Sequence, residues 1–149
     1  IGKLPSTWTA IVSAVTAAGA ASVQSNTHVT SFSVTDSSAN VAANFNALNS
    51  DTKISGVTLT DSTPLSITYT QLTTDTFILG KLPSTYQLAV SAVTAANAGT
   101  LQANTHVASF AISDSSANVV ANVVELIGFF NSFHNIFRNS LILTRGCKR

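Results

Sequence analysis

The sequence is poor in charge. Only 9% of its 149 residues are Asp, Glu, Lys or Arg, against about 25% in an ordinary soluble domain. Net charge is +1, which excludes strong electrostatic attraction to nucleic acid. There is a single cysteine, Cys147, so no disulfide can close within the chain. No run of about 20 apolar residues occurs, which excludes an obvious membrane-spanning helix. No Gly-x-Ser-x-Gly elbow marks a hydrolase nucleophile, and no Gly-rich loop is built to cradle phosphate. Nothing here points to an enzyme.

What is present is apolar and small. Hydrophobic residues make up 45% of the chain, too many for disorder by low hydrophobicity. The length suffices for one domain with a sizeable core. Ser, Thr, Asn and Ala fill the positions that Lys and Glu usually hold. The resulting polar but nearly uncharged surface is common in extracellular repeat proteins and uncommon in cytosolic enzymes.

The dominant feature is an internal repeat. Lys3-Leu4-Pro5-Ser6-Thr7 through Asp36-Ser37-Ser38-Ala39-Asn40-Val41 to Leu48 returns as Lys81-Leu82-Pro83-Ser84-Thr85 through Asp114-Ser115-Ser116-Ala117-Asn118-Val119 to Leu126. The offset is 78 residues without a gap, and 29 of the 46 aligned positions are identical. A repeat this close makes architecture the first question. Residues 1–80 are the first copy, 81–126 a partial second copy and 127–149 a non-repeat tail. Ile1-Gly2-Lys3-Leu4-Pro5 lacks the apolar segment of a signal peptide. It matches Leu79-Gly80-Lys81-Leu82-Pro83, so the chain is expected to begin within a longer array.

The 78-residue period divides into three units of about 26 residues, near the size of one coil in an α/β repeat. In the first, Ile11 to Val15 reads as a strand and Ala17 to Gln24 as a short helix. In the second, Ser31-Phe32-Ser33-Val34-Thr35 alternates with the strand period of two. Asp36 stands where a helix N-cap belongs, with a helix expected over Ser37 to Asn49. Val41, Phe45 and Leu48 form its apolar stripe. In the third, Val57 to Thr60 is a strand, Asp61-Ser62-Thr63-Pro64 a turn and Leu65 to Tyr69 a second strand. Thr70 is the expected cap of a helix over Gln71 to Lys81. The second copy repeats this as a strand over Gln87 to Val93, a helix over Ala95 to Gln102, a strand over Ser109 to Ser113 and a helix over Ser115 to Leu126. The expected fold class is α/β, a solenoid-like stack of short strands and helices. A compact α/β sandwich of two pseudo-equivalent halves is the alternative.

After Leu126 the pattern stops. Residues 129–149 hold four of the eight Phe, four of the seven Lys+Arg and no acidic residue. This tail admits three readings: a cap over the last unit, an amphipathic surface or secretion-related helix, or a frame-shifted or artificial end.

Val34-Thr35-Asp36-Ser37-Ser38-Ala39-Asn40-Val41-Ala42-Ala43-Asn44 with Leu48, followed by Ile54-Ser55-Gly56-Val57-Thr58-Leu59-Thr60-Asp61, resembles the long arrays of large secreted bacterial adhesin-like proteins. Those arrays occur alongside haemolysin-type (RTX) calcium-binding repeats. The resemblance covers about residues 3–126. It implies an extracellular or cell-surface bacterial stalk, exported in one step, with neighbouring repeats of a longer parent chain as its partners. The Gly-Gly-x-Gly-x-Asp calcium motif is missing, so the resemblance carries no calcium ligand onto this chain.

The candidate sites are few. Asp36, Asp61 and Asp114 sit at comparable strand ends and are candidate calcium ligands. Calcium takes 6–8 oxygens, and the neighbours here are serines, so we read the three as helix caps or turns. No other cofactor is expected. His28 and His106 share an Asn-Thr-His-Val context; one His per repeat lacks converging metal ligands and reads as a turn residue. Asn40, Asn44, Asn118 and Asn122, at helical spacing, suit either a sugar or local backbone groups. Thr58, Thr60, Thr68 and Thr70 make a regular polar face of the kind that could organise ice, although outward Thr also simply favours strands. The first hypothesis is therefore a structural spacer without catalysis. The second is a binding module for calcium, glycan or ice. Self-association through exposed end units is expected of either, because an uncapped stack leaves unpaired edges.

Overall fold

The computed structural model describes residues 7–122. The chain is α/β, with strands β1 (Ala10–Val15), β2 (Val29–Asp36), β3 (Ile54–Leu59), β4 (Leu65–Thr68), β5 (Leu88–Val93) and β6 (Val107–Ile112). Short helices join them: α1 (Ala20–Ser25), α2 (Ser38–Ala43), α3 (Phe45–Ser50), α4 (Tyr69–Thr74), α5 (Thr76–Leu79), α6 (Ala98–Gln102) and α7 (Ser116–Ala121). One 3-10 turn precedes α1 (Ala17–Gly19) and another precedes α6 (Ala95–Asn97).

All strand pairs are parallel, as connections through helices allow. They form two sheets of three, in the orders β1-β2-β3 and β4-β5-β6. A solenoid predicts one sheet continuing along the stack. The sheet is interrupted instead, and the two-half arrangement describes the fold better. The physical cause lies in the turn between β3 and β4. Asp61 folds it by accepting the Thr63 N–H at 3.0 Å, and Pro64 has no N–H to donate to a ladder. β3 therefore pairs with β2, and β4 pairs with β5, with registers Val34 to Val57 and Leu65 to Leu88. The boundary falls inside the first repeat copy, so one unit serves both sheets.

A single apolar core runs beneath both sheets. Phe32, Val34, Val41, Phe45 and Leu48 are buried on the first side, and Leu65, Ile67, Ile78, Leu88, Val90 and Val93 continue it on the second. The alternation in β2 and the 41–45–48 stripe are thus turned inward as their periods require.

The long helices expected from the stripes are broken. Asn44, at φ −108° and ψ 12°, separates α2 from α3. Its side chain donates to the Asn40 carbonyl at 2.9 Å, the competition with helix geometry typical of Asn. Asp75 interrupts the third unit between α4 and α5, where its carboxylate accepts from the Thr74 hydroxyl and the Asn49 amide. The cap there is Thr68 rather than Thr70, in a reciprocal capping box with Gln71, the arrangement that satisfies two orphan N–H groups. The tail over 127–149, like Leu126, lies outside the described residues.

One irregularity recurs at the repeat offset. Ala14 and Ala92 hold φ 56° and 55°, the left-handed region that costs an L-residue about 1–2 kcal/mol. Each marks a bulge. Val12 pairs with Phe32 and Val15 with Val34, so three steps on β1 match two on β2. The same shift stands between Val90 and Val93. The extra residue lets two apolar side chains spaced by three both turn inward.

Candidate functional site

The three aspartates are built into the junctions between units. Asp36 ends β2. Its Oδ2 accepts the Ala17 N–H at 3.0 Å, and its Oδ1 accepts the Ser37 N–H at 2.8 Å and the Asn40 side-chain amide at 2.7 Å. Asp114 repeats each bond, to Ala95 at 3.0 Å, Ser115 at 2.8 Å and Asn118 at 2.7 Å. Asp61 makes the matching reach from the third unit, accepting the Ser38 N–H at 3.0 Å.

Ala17, Ser38 and Ala95 are each the first residue of a helical turn, where N–H groups lack partners. Every one of these carboxylates therefore covers the helix start of the preceding unit. The expectation that Asp36 and Asp114 are themselves N-caps needs correcting. Ser37 and Ser115 hold the cap position and accept from Asn40 and Asn118, while the aspartates stand one residue earlier and reach across.

The charge on each is favoured by its donors. The Asn40 amide, then the Ala17 and Ser37 N–H groups, hold the Asp36 carboxyl below its ordinary value. Asn118, Ala95 and Ser115 do the same for Asp114. For Asp61 the Ser38 hydroxyl contributes most, followed by the Ser38 and Thr63 N–H groups. That hydroxyl is buried without a well-aligned hydrogen bond, so the Ser38 and Thr63 N–H groups are the donors the geometry supports. Hydrogen bonds to the ionised form lower a pKa in this way. Among the described residues no three His, Cys, Asp or Glu side chains converge into a metal-holding group.

The histidines do more than fill turns. His28 stacks on Trp8 with ring centroids 4.3 Å apart and planes within 11°, and His106 stacks on Tyr86 at 4.0 Å and 4°. Each Nδ1 lies at hydrogen-bond distance from the carbonyl of its own stacking partner, 2.9 Å for Trp8 and 3.1 Å for Tyr86. The Asn26 and Asn104 side-chain oxygens accept the backbone N–H groups of His28 and His106 at 3.0 Å. The His28 and His106 carbonyls then start the ladders to Ala10 and Leu88 at 2.8 Å. Sequence reasoning missed this clamp. The signal was the Trp8–Tyr86 exchange, which keeps an aromatic ring at one phase of the repeat.

Amide side chains continue the links. Gln24 accepts the Lys53 N–H at 3.0 Å, and Lys53 Nζ donates to the Gln24 and Asn26 carbonyls at 2.8 Å. Asn46 accepts from Gln71 at 2.6 Å, and Asn49 accepts the Ile78 N–H at 3.2 Å. Asn40, Asn44, Asn118 and Asn122 use their amide N–H groups locally, on an aspartate or a carbonyl four residues back. The regular threonine face is also corrected. Thr58 and Thr60 are exposed, but Thr68 is a helix cap and Thr70 lies within α4, so the array stops at β3.

One cleft opens where the two sheets part. Its volume is about 380 Å³, with Leu59, Asp61, Thr63, Pro83, Tyr86 and Gln87 among its walls. Burial raises the Tyr86 phenol. Away from it, Asp51 is buried with its Oδ2 unpartnered, and desolvation pushes its carboxyl up. No described helix is long and apolar enough to cross a membrane. No protein-family model, curated protein or solved structure matches this chain.

Proposed function

We propose that this chain is a structural repeat module of an extracellular bacterial adhesin-like or surface protein, serving as a spacer or stalk without catalysis. One observation supports this above the others. The residues that stand out chemically, Asp36, Asp61, Asp114, His28 and His106, are occupied in bonds that tie strands and helix starts of neighbouring units together. Asp36 and His28 recur after 78 residues as Asp114 and His106, which favours cohesion over chemistry. In this reading the two sheets are successive blocks of one solenoid-like stack, and each added strand lengthens it by about 4.8 Å. The test is a series of proteins with one to four in-phase copies, measured by small-angle scattering. The maximum dimension should rise linearly with copy number. Growth as the cube root of mass would replace the stalk with a globule.

A second reading is a binding module for calcium, a glycan or ice. The cleft at the sheet boundary, which brings Asp61, Tyr86 and Gln87 together, favours a small polar ligand such as a sugar. Calorimetry with a glycan panel and with Ca²⁺ separates the readings. Heat at millimolar sugar that is lost in Tyr86→Ala supports the binding module; flat traces support the spacer.

A further inference from the structure

The outer edge of β1 and the edge of β5 that faces β4 are the same surface at two phases of the repeat. In the second copy that edge is covered. Leu65, Ser66, Ile67 and Thr68 pair in register with Leu88, Ala89, Val90 and Ser91. The Leu65 N–H donates to the Gln87 carbonyl at 2.8 Å, and the Ser91 hydroxyl donates to the Ile67 carbonyl at 3.3 Å. Leu88 and Val90 are then almost fully buried, at 0% and 2% exposure.

In the first copy nothing among the described residues pairs with this edge. Ala10 and Val12, which correspond to Leu88 and Val90, are only half-buried, and Ile11 is 80% exposed. The Ala10 N–H points to the His28 carbonyl at 2.8 Å. Since backbone groups alternate sides along a strand, the Thr9 carbonyl and the Ile11 N–H face outward. Thr9 stands where Gln87 accepts Leu65, and Ser13 stands where Ser91 reaches Ile67. Unpaired parallel edges of this kind recruit another strand.

We infer that the outer edge of β1 binds the third unit of another copy of this repeat, residues 54–78, through its Leu-Ser-Ile-Thr strand. The unit suits this role because its two strands already serve two sheets: β3 closes one and β4 opens the next. Ala10 leaves room on the inner face where Leu88 sits in the second copy, and the outward Ile11 would be covered by the residue matching Ser66. The inference rests on reading the chain as a repeat module, and it names the partner of that module: a second copy of itself, joined in series or in trans.

The test extends the full chain at its N-terminus with an in-phase copy of residues 54–78 placed directly before Ile1, beside a control carrying the same residues scrambled. Amide exchange is followed by NMR. The in-phase extension should slow exchange at Ile11 by about tenfold or more relative to the scramble and raise the Tm. A synthetic 54–78 peptide added to the unextended chain should shift the Ala10 to Ser13 amides, and the scrambled peptide should not. Equal exchange at Ile11 in both extended chains, with no selective peptide shifts, overturns the inference. That result leaves the spacer reading intact, because the scattering series and the ligand titrations test it separately.

Discussion

The carboxylate of Asp36 accepts the backbone N–H of Ala17 at 3.0 Å across 19 residues, and Asp114 accepts that of Ala95 over the same distance and the same separation. A side chain at the end of one strand thereby completes the helix start of the unit before it. Cap and tether are separate residues. Ser37→Ala should cost about 1 kcal/mol, as loss of a hydroxyl cap does. Asp36→Ala removes three acceptor contacts, one of them between units, and should lower the urea midpoint further than Ser37→Ala. A smaller effect from the aspartate would show that the tether adds nothing to local capping.

Acid should weaken the fold through these carboxylates. Asp36, Asp61 and Asp114 are held below the ordinary value of 3.8. Their contribution is complete above that value and is lost as pH falls through their folded-state pKa values. Asp51 has the opposite sign. Its carboxyl is raised by burial, so protonation favours the folded state and stability gains as pH drops through its folded-state value. The Tm should therefore rise slightly as pH falls through the folded-state value of Asp51, and decline as pH drops below the ordinary 3.8 toward the folded-state values of Asp36, Asp61 and Asp114. In Asp51→Asn the climb should vanish while the acid fall remains.

The left-handed alanines should be improvable. Replacing Ala92 by Gly removes about 1–2 kcal/mol of strain and adds about 0.4–1 kcal/mol of unfolded-chain entropy. Net stabilisation between zero and about 1.6 kcal/mol is expected by chemical denaturation. Ala92→Val should destabilise, since a β-branched residue tolerates positive φ poorly. If Gly destabilised by more than the entropy alone, the bulge conformation itself would be in question.

The His–aromatic clamp should accept its own repeat variant. Trp8→Tyr copies the ring that Tyr86 presents to His106 and should cost less than about 1 kcal/mol. Trp8→Ala loses the stack, worth about 0.5–1.5 kcal/mol beyond burial, and should cost clearly more. Equal losses in the two variants would mean that indole-specific packing matters rather than stacking.

Core position matters more than repeat phase. Phe32 is 0% exposed between β1 and β3, so Phe32→Ala should cost about 3–5 kcal/mol. Phe110 occupies the same phase but is half-buried. Phe110→Ala should cost markedly less, and a thermal melt of each variant would show it.

The sequence by itself determined the repeat, the strand phases and the inward faces. Phe32 and Val34 on a period of two, and Val41, Phe45 and Leu48 on a helical stripe, are legible because each signal depends on residues within one or two turns of chain. The bulge at Ala14 was not legible there, because a period of two groups Val15 with Ile11, whereas the fold groups it with Val12 and leaves Ile11 80% exposed. Only the tertiary structure decided the division into two sheets, the reach of Asp36, Asp61 and Asp114 to the unit before, and the stacking of His28 on Trp8. Those contacts join residues about 20 apart, and their partners are mostly backbone N–H and carbonyl groups that every residue type carries. No local pattern marks a generic amide as the acceptor's target; it becomes one when neighbouring units stack and bring a helix start beside a strand end.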